Sequence, residues 1–207
     1  MIIRIHFRKT VYLSIFLVIL SCKPQTSEIR YYPSTANFST EKAQFIGLDT
    51  INMNFRQITN KVASYYGKLE YLVVDFNDGQ IKKHLKPFVY GGGLIKYRNV
   101  LEIKSDSILI DDGYPISELK RILKRHYLNK GKNFRYSDSP KKALVEITID
   151  TNKNGKELKD VLINLTRTFD EIKNEVNDTI ELKVYFDYLR QFPPPPPPKM
   201  EDEEKKI

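Results

Sequence analysis

Between Val100 and Tyr185 the spacing of apolar residues switches between two residues and three to four, and each switch marks a new element. Residues 100–104 and 107–111 alternate apolar and polar positions on either side of Ser105-Asp106, the pattern of a hairpin with one buried face. Asp112-Gly113-Tyr114-Pro115 breaks the run, because Gly permits positive φ and Pro removes an amide donor. Ile116, Leu119, Ile122, Leu123 and Tyr127 then share one helical face, with Ser117 at the N-cap position and Gly131 beyond the end. Lys120, Arg121, Lys124 and Arg125 cover the opposite face. After a loop over 133–142, residues 143–149 are apolar enough for a central strand. The turn 150–155 leads into a long helix with Leu158, Val161, Leu162, Leu165, Phe169, Ile172 and Val176 in one stripe. Ile180, Leu182, Val184 and Phe186 alternate with polar residues as a last strand. The predicted class is α+β, a ββαβαβ sheet carrying two helices.

Upstream the signal is weaker. Phe55, Ile58, Val62 and Tyr65 suggest a helix ending at Gly67, residues 71–76 a strand, and Asn77-Asp78-Gly79 a turn. Residues 82–90 fit no single period. We read 45–98 as an accessory αβ segment added to the same sheet, being too short for a core of its own. Residues 22–44 are polar with little periodicity and read as a tether.

The first residues change the picture from shape to place. Arg4, Arg8 and Lys9 precede an uncharged apolar run over 11–21, too short for a bilayer that needs about 20 residues. The run ends Ile19-Leu20-Ser21-Cys22, which resembles a bacterial lipobox. That resemblance implies a signal peptide over 1–21, cleavage before Cys22, and a diacylglyceryl group on its thiol. Lys23 follows Cys22 where an inner-membrane retention aspartate would stand, so an outer-membrane anchor facing the periplasm is expected. Cys22 is the single cysteine, so no internal disulfide and no CxxC site can form. Cleavage would remove three basic and no acidic residues, taking the net charge from +8 to +5. Nucleic acid is excluded by that compartment rather than by charge. The Lys/Arg face of the 117 helix is left with two readings, a solvated surface or a contact for anionic lipid or cell wall.

The order of elements, with Ile110-Asp111-Asp112-Gly113 before Ser117-Glu118-Leu119 and Ile147-Thr148-Ile149-Asp150 before Lys156, resembles the periplasmic domain of the ExbD/TolR biopolymer transport family. The resemblance covers 99–190. It implies a non-enzymatic module associated with a TonB/ExbB/ExbD-like or Tol-like system, with Asp111, Asp112 and Asp150 as candidate binding residues. The family's transmembrane helix bears an aspartate used in proton flow. Here that place holds an apolar run without an acid, so a proton-conducting role is not expected. ExbB- or TonB-like proteins, peptidoglycan and a second copy in a homodimer are the partners this reading allows. An unrelated envelope lipoprotein that binds cell wall or another protein is the alternative.

The tail over 191–207 is of low complexity. Pro193, Pro194, Pro195, Pro196, Pro197 and Pro198 would extend roughly 19 Å as polyproline II at about 3.1 Å each, as a spacer or as a ligand for an aromatic groove.

Candidate chemistry is thin. Asp150-Thr151-Asn152-Lys153-Asn154-Gly155 matches the first half of a calcium loop, but Val161 stands where the bidentate Glu belongs. Gly91-Gly92-Gly93 lacks the Lys-Ser/Thr of a phosphate loop. His84 and His126 lie among lysines and arginines without ligand spacing and read as surface residues. No GxSxG, HExxH or Cys-His arrangement is present. Neither a cofactor nor a catalytic residue is expected; a hydrolase without these motifs is the competing class.

Overall fold

The computed structural model describes residues 28–89, 95–176 and 179–188, and these form two β-sheets and three α-helices, an α+β arrangement. The first sheet contains β1 (Glu28–Tyr32), β2 (Ala43–Gly47), β3 (Tyr71–Asp78) and β4 (Ile81–Leu85), in the order β1-β4-β3-β2. β3 and β4 form a hairpin turned at Gly79, whose φ of +61° suits a residue without Cβ. β1 and β2 flank it as parallel edge strands.

This sheet corrects two expectations. The stretch read as a tether contains β1 and the start of β2. The accessory segment therefore builds a sheet of its own instead of extending the other one. β1 escapes a periodicity test because its inward residues are polar or amphipathic. Arg30 Nη1 and Tyr32 Oη both donate to the Asp170 carboxylate, at 2.7 and 2.8 Å.

The second sheet is ordered β7-β6-β5-β8-β9: β5 (Val100–Ile103), β6 (Ser107–Leu109), β7 (Tyr114–Pro115), β8 (Leu144–Ile147) and β9 (Val184–Phe186). β5, β8 and β9 run parallel, and β6 and β7 antiparallel. α1 (Phe55–Ala63), α2 (Leu119–Leu128) and α3 (Gly155–Glu175) complete the fold. α2 begins two residues after the expected Ser117 cap. Pro115 holds extended backbone, and Ile116–Glu118 forms a 3-10 turn first, with no side-chain cap.

α3 serves both sheets. Leu158, Val161, Leu162, Leu165, Phe169 and Ile172 belong to one continuous apolar core that includes Leu101, Ile103, Val145 and Val184 of the second sheet and Ile46, Val74, Phe76 and Leu85 of the first. Its polar flank meets the first sheet through Thr166, Arg167 and Asp170.

The starts of α1 and α3 are tied together. The Phe55 and Arg56 amides donate to the carbonyls of Lys153 and Thr151 at 2.7 and 3.2 Å, while Asn54 and Asn154 each cap their own helix in a reciprocal box with Gln57 and Glu157. Gly155 permits the approach: a Cβ there would stand 2.8 Å from Ile51 Cγ2.

Candidate binding surface

Asp111 organises one end of the second sheet. It follows β6 with φ +55°, a conformation that Asp tolerates better than most residues. Its carboxylate accepts hydrogen bonds from Tyr114 Oη at 3.0 Å, Tyr136 Oη at 3.2 Å and Arg135 Nη1 at 2.9 Å. The Arg135 guanidinium holds this carboxyl below its ordinary range, while burial pushes the Tyr136 phenol up to about 12. Asp112 stands exposed beside it. Both border a cleft of about 300 Å³ with Tyr97, Arg98, Phe134 and Arg135. Tyr97 and Phe134 are 69% and 73% exposed, far more than ordinary aromatic side chains.

A second cleft of about 350 Å³ lies on the other side of residues 95–99, lined by Phe88, Ile95, Lys96, Lys141, Lys142 and Lys183. The strip between the clefts is pinned from below. Asn99 Oδ1 accepts from Ser137 Oγ at 3.2 Å and the Asp138 amide at 2.9 Å, and Asp138 pairs with Arg98, with Lys96 at 3.6 Å and with Lys142 at 3.5 Å. His126 Nε2 lies 3.2 Å from the Asn99 carbonyl. Asn129 Nδ2 donates to the carbonyls of Asn133, Tyr136 and Ser137 at 2.8–3.0 Å, fixing the loop that presents Phe134. The arrangement offers aromatic faces, guanidinium and ammonium donors, and rigid backbone, which suits an extended ligand bearing carbonyl or carboxylate groups.

Asp150 does not join this surface. Glu102 pairs with Leu109, so Asp111 lies beside the start of β5, whereas Asp150 follows β8, whose Ile147 pairs with Ile103 at the end of β5. The two sit at opposite ends of the sheet. Asp150 Oδ1 accepts from the Asn152 amide at 2.8 Å, and Asn154 Oδ1 accepts from the amides of Lys156 and Glu157. The half-match to a calcium loop is thus absorbed by turn and cap hydrogen bonds, and no metal-holding cluster of His, Cys, Asp and Glu occurs among the described residues.

Both histidines read as surface residues are buried. Burial draws His126 down to about 4. His84 also lies below its usual range, again through burial, and sits against Tyr31, Phe38 and Phe45 at centroid distances of 5.1–6.5 Å. Neighbouring lysines misled the sequence reading, because Lys83 is itself buried against Asp78 at 2.8 Å and Thr166 at 2.8 Å. The basic face of α2 is occupied as well. Lys120 and Lys124 bind Glu175, Arg121 binds Glu118, and Arg125 lies 4.4 Å from the Tyr136 ring centroid.

Tyr97 and Phe134 escaped the sequence reading, since isolated aromatics in polar loops carry no periodic signal. Cys22, Pro193 to Pro198 and the Gly91-Gly92-Gly93 turn lie outside the described residues. No helix among the described residues is long and apolar enough to cross a membrane. No family model matches the chain, and neither a curated protein nor a solved structure matches it.

Proposed function

We propose that the chain is a non-enzymatic envelope protein, held to the periplasmic side of the outer membrane by lipid on Cys22, and that the surface around Asp111 binds another protein. The observation that carries this reading is the exposed pair Tyr97 and Phe134 beside a cleft whose walls are fixed by the Asp111, Asn99 and Asn129 hydrogen bonds. The order of elements from β5 to β9 supports kinship with the ExbD/TolR periplasmic domain, and through it a partner in a TonB/ExbB/ExbD-like or Tol-like system. The first sheet and the short β7 have no place in the matched motifs, so the kinship is that of an accessory member.

The test is capture from cross-linked membranes by the intact chain and by a Tyr97→Ala/Phe134→Ala variant. Recovery of ExbB- or TonB-like proteins by the first and a loss of ten-fold or more by the second is expected. Equal recovery by both would remove the cleft from the reading. Absence of such partners from both would remove the transport association.

A further inference from the structure

Among the described residues the outer face of the first sheet carries no α-helix; Phe38, which follows the 3-10 turn Thr35–Asn37, packs over its middle, where His84 and Val73 are buried. Register places Tyr31, His84 and Asp75 side by side on that face, with Ile29 beside Lys82 and Phe45 beside Val73. The opposite face, with Tyr32, Lys83, Val74 and Phe76, belongs to the core and to α3. On the outer face Tyr31 and Phe38 touch edge to face at 4.8 Å, Phe45 and Tyr31 flank His84, and the Lys86 ammonium lies 3.7 Å from the Tyr71 ring centroid. Ile29 and Phe45 are each 48% exposed. Leu69, in the turn leading into β3, is 86% exposed. The carboxylate on this face, Asp75, is paired with Lys82 at 2.9 Å.

Apolar and aromatic side chains flanked by lysines form the pattern of a surface that settles at a membrane–water interface: rings lie at headgroup depth while ammonium groups reach for phosphate. The length of the chain's leading segment gives the second argument. β1 begins at Glu28, six positions after Cys22. At about 3.3–3.6 Å per residue those positions span at most about 22 Å. An acyl group on Cys22 would therefore hold β1, an edge strand of this same sheet, within that distance of the bilayer.

We infer that the outer face of the first sheet docks on the lipid surface, with Phe45, Ile29 and Leu69 entering the headgroup region. This inference rests on the reading of Cys22 as lipidated. The acyl chains on Cys22 and the sheet face then act as two linked contacts with the same bilayer.

The chain contains no tryptophan, so a single introduced indole reports one site. Full-length chain, produced with its leader so that Cys22 can be processed, is reconstituted in phosphatidylethanolamine/phosphatidylglycerol vesicles containing a lipid brominated near the headgroup. Phe45→Trp should be quenched at least two-fold and shift to the blue, and Phe134→Trp on the second sheet should change little. Leu69→Trp, at a turn where folding is not at stake, gives the same comparison independently. If Phe45→Trp and Leu69→Trp are quenched no more than Phe134→Trp while the chain floats with the vesicles, the docked face is wrong and the anchor stands. If the chain fails to float, anchor and docking fall together.

Discussion

The Lys83 ammonium lies 2.8 Å from the Asp78 carboxylate, and both side chains are buried where the first sheet meets α3. Asp78 also receives the Arg167 guanidinium, whereas Lys83 has Thr166 Oγ1 at 2.8 Å as its other partner. Removing the acid leaves a buried ammonium without a counter-charge; removing the base leaves Asp78 still paired. Asp78→Ala should therefore cost about 3–5 kcal/mol and Lys83→Met about 1 kcal/mol or less. Urea unfolding of the two variants checks this, and equal losses would contradict it.

Acid should weaken the fold in two steps. Unfolded His126 takes up a proton near its ordinary 6.5 and the folded, buried imidazole only near 4, so stability falls as pH drops from about 6.5 to about 4, by up to about 3 kcal/mol. Asp78 is held at about 2, chiefly by the hydrogen bonds from Arg167; its contribution is whole above its ordinary 3.8 and disappears as pH falls through about 2. His126→Asn should flatten the first slope in urea midpoints measured from pH 7 to 4.5. An unchanged slope would assign it to other groups.

Asn154→Ala removes the cap of α3 and should lower stability by about 0.5–2 kcal/mol. Because the Asn154 and Asp150 oxygens already accept backbone amides, millimolar calcium should leave the thermal midpoint of the unaltered chain where it is. A rise of several degrees would restore the loop as a metal site.

Gly155→Ala should destabilise by about 1–3 kcal/mol despite better helix propensity, because its methyl meets Ile51 Cγ2. Pairing it with Ile51→Ala removes that atom. The double variant should be more stable than the sum of the single losses, a coupling of about 0.5–3 kcal/mol that a double-mutant cycle reads.

Asp111→Asn keeps a side chain that tolerates positive φ but weakens the bond to Arg135, whereas Asp111→Val also strains the backbone. Near-UV dichroism of Tyr114 and Tyr136 should change modestly in the first and strongly in the second. Partner capture should follow the same order. Identical behaviour of the two would show that the φ constraint is irrelevant to the cleft.

Apolar spacing made the second half of the chain readable. β5, β6, β8 and the stripe of α3 fall where two- and four-residue periods place them. Elements held by polar bonds were not readable that way. β1 is anchored by Arg30 and Tyr32 to Asp170, about 140 positions away, and no local pattern announces such a partner. His84 and His126 looked solvated because their neighbours are charged, yet the aromatics around His84 lie about 40–50 positions upstream and the Asn99 carbonyl beside His126 lies 27 positions away. For the binding surface, the turn at Asp111 was visible as Asp-Asp-Gly. The aromatic pair beside it became recognisable only once α2 and its Asn129 clamp placed Phe134 near Tyr97.

Because α3 presents Thr166, Arg167, Phe169 and Asp170 to Lys83, Asp78 and Tyr32, an excised fragment beginning at Asn99 would expose one flank of its longest helix to water. Such a piece should precipitate or behave as a loosely packed state, however well its own strands pair. The two sheets are therefore joint owners of one scaffold, and neither can be transplanted into another protein without the other.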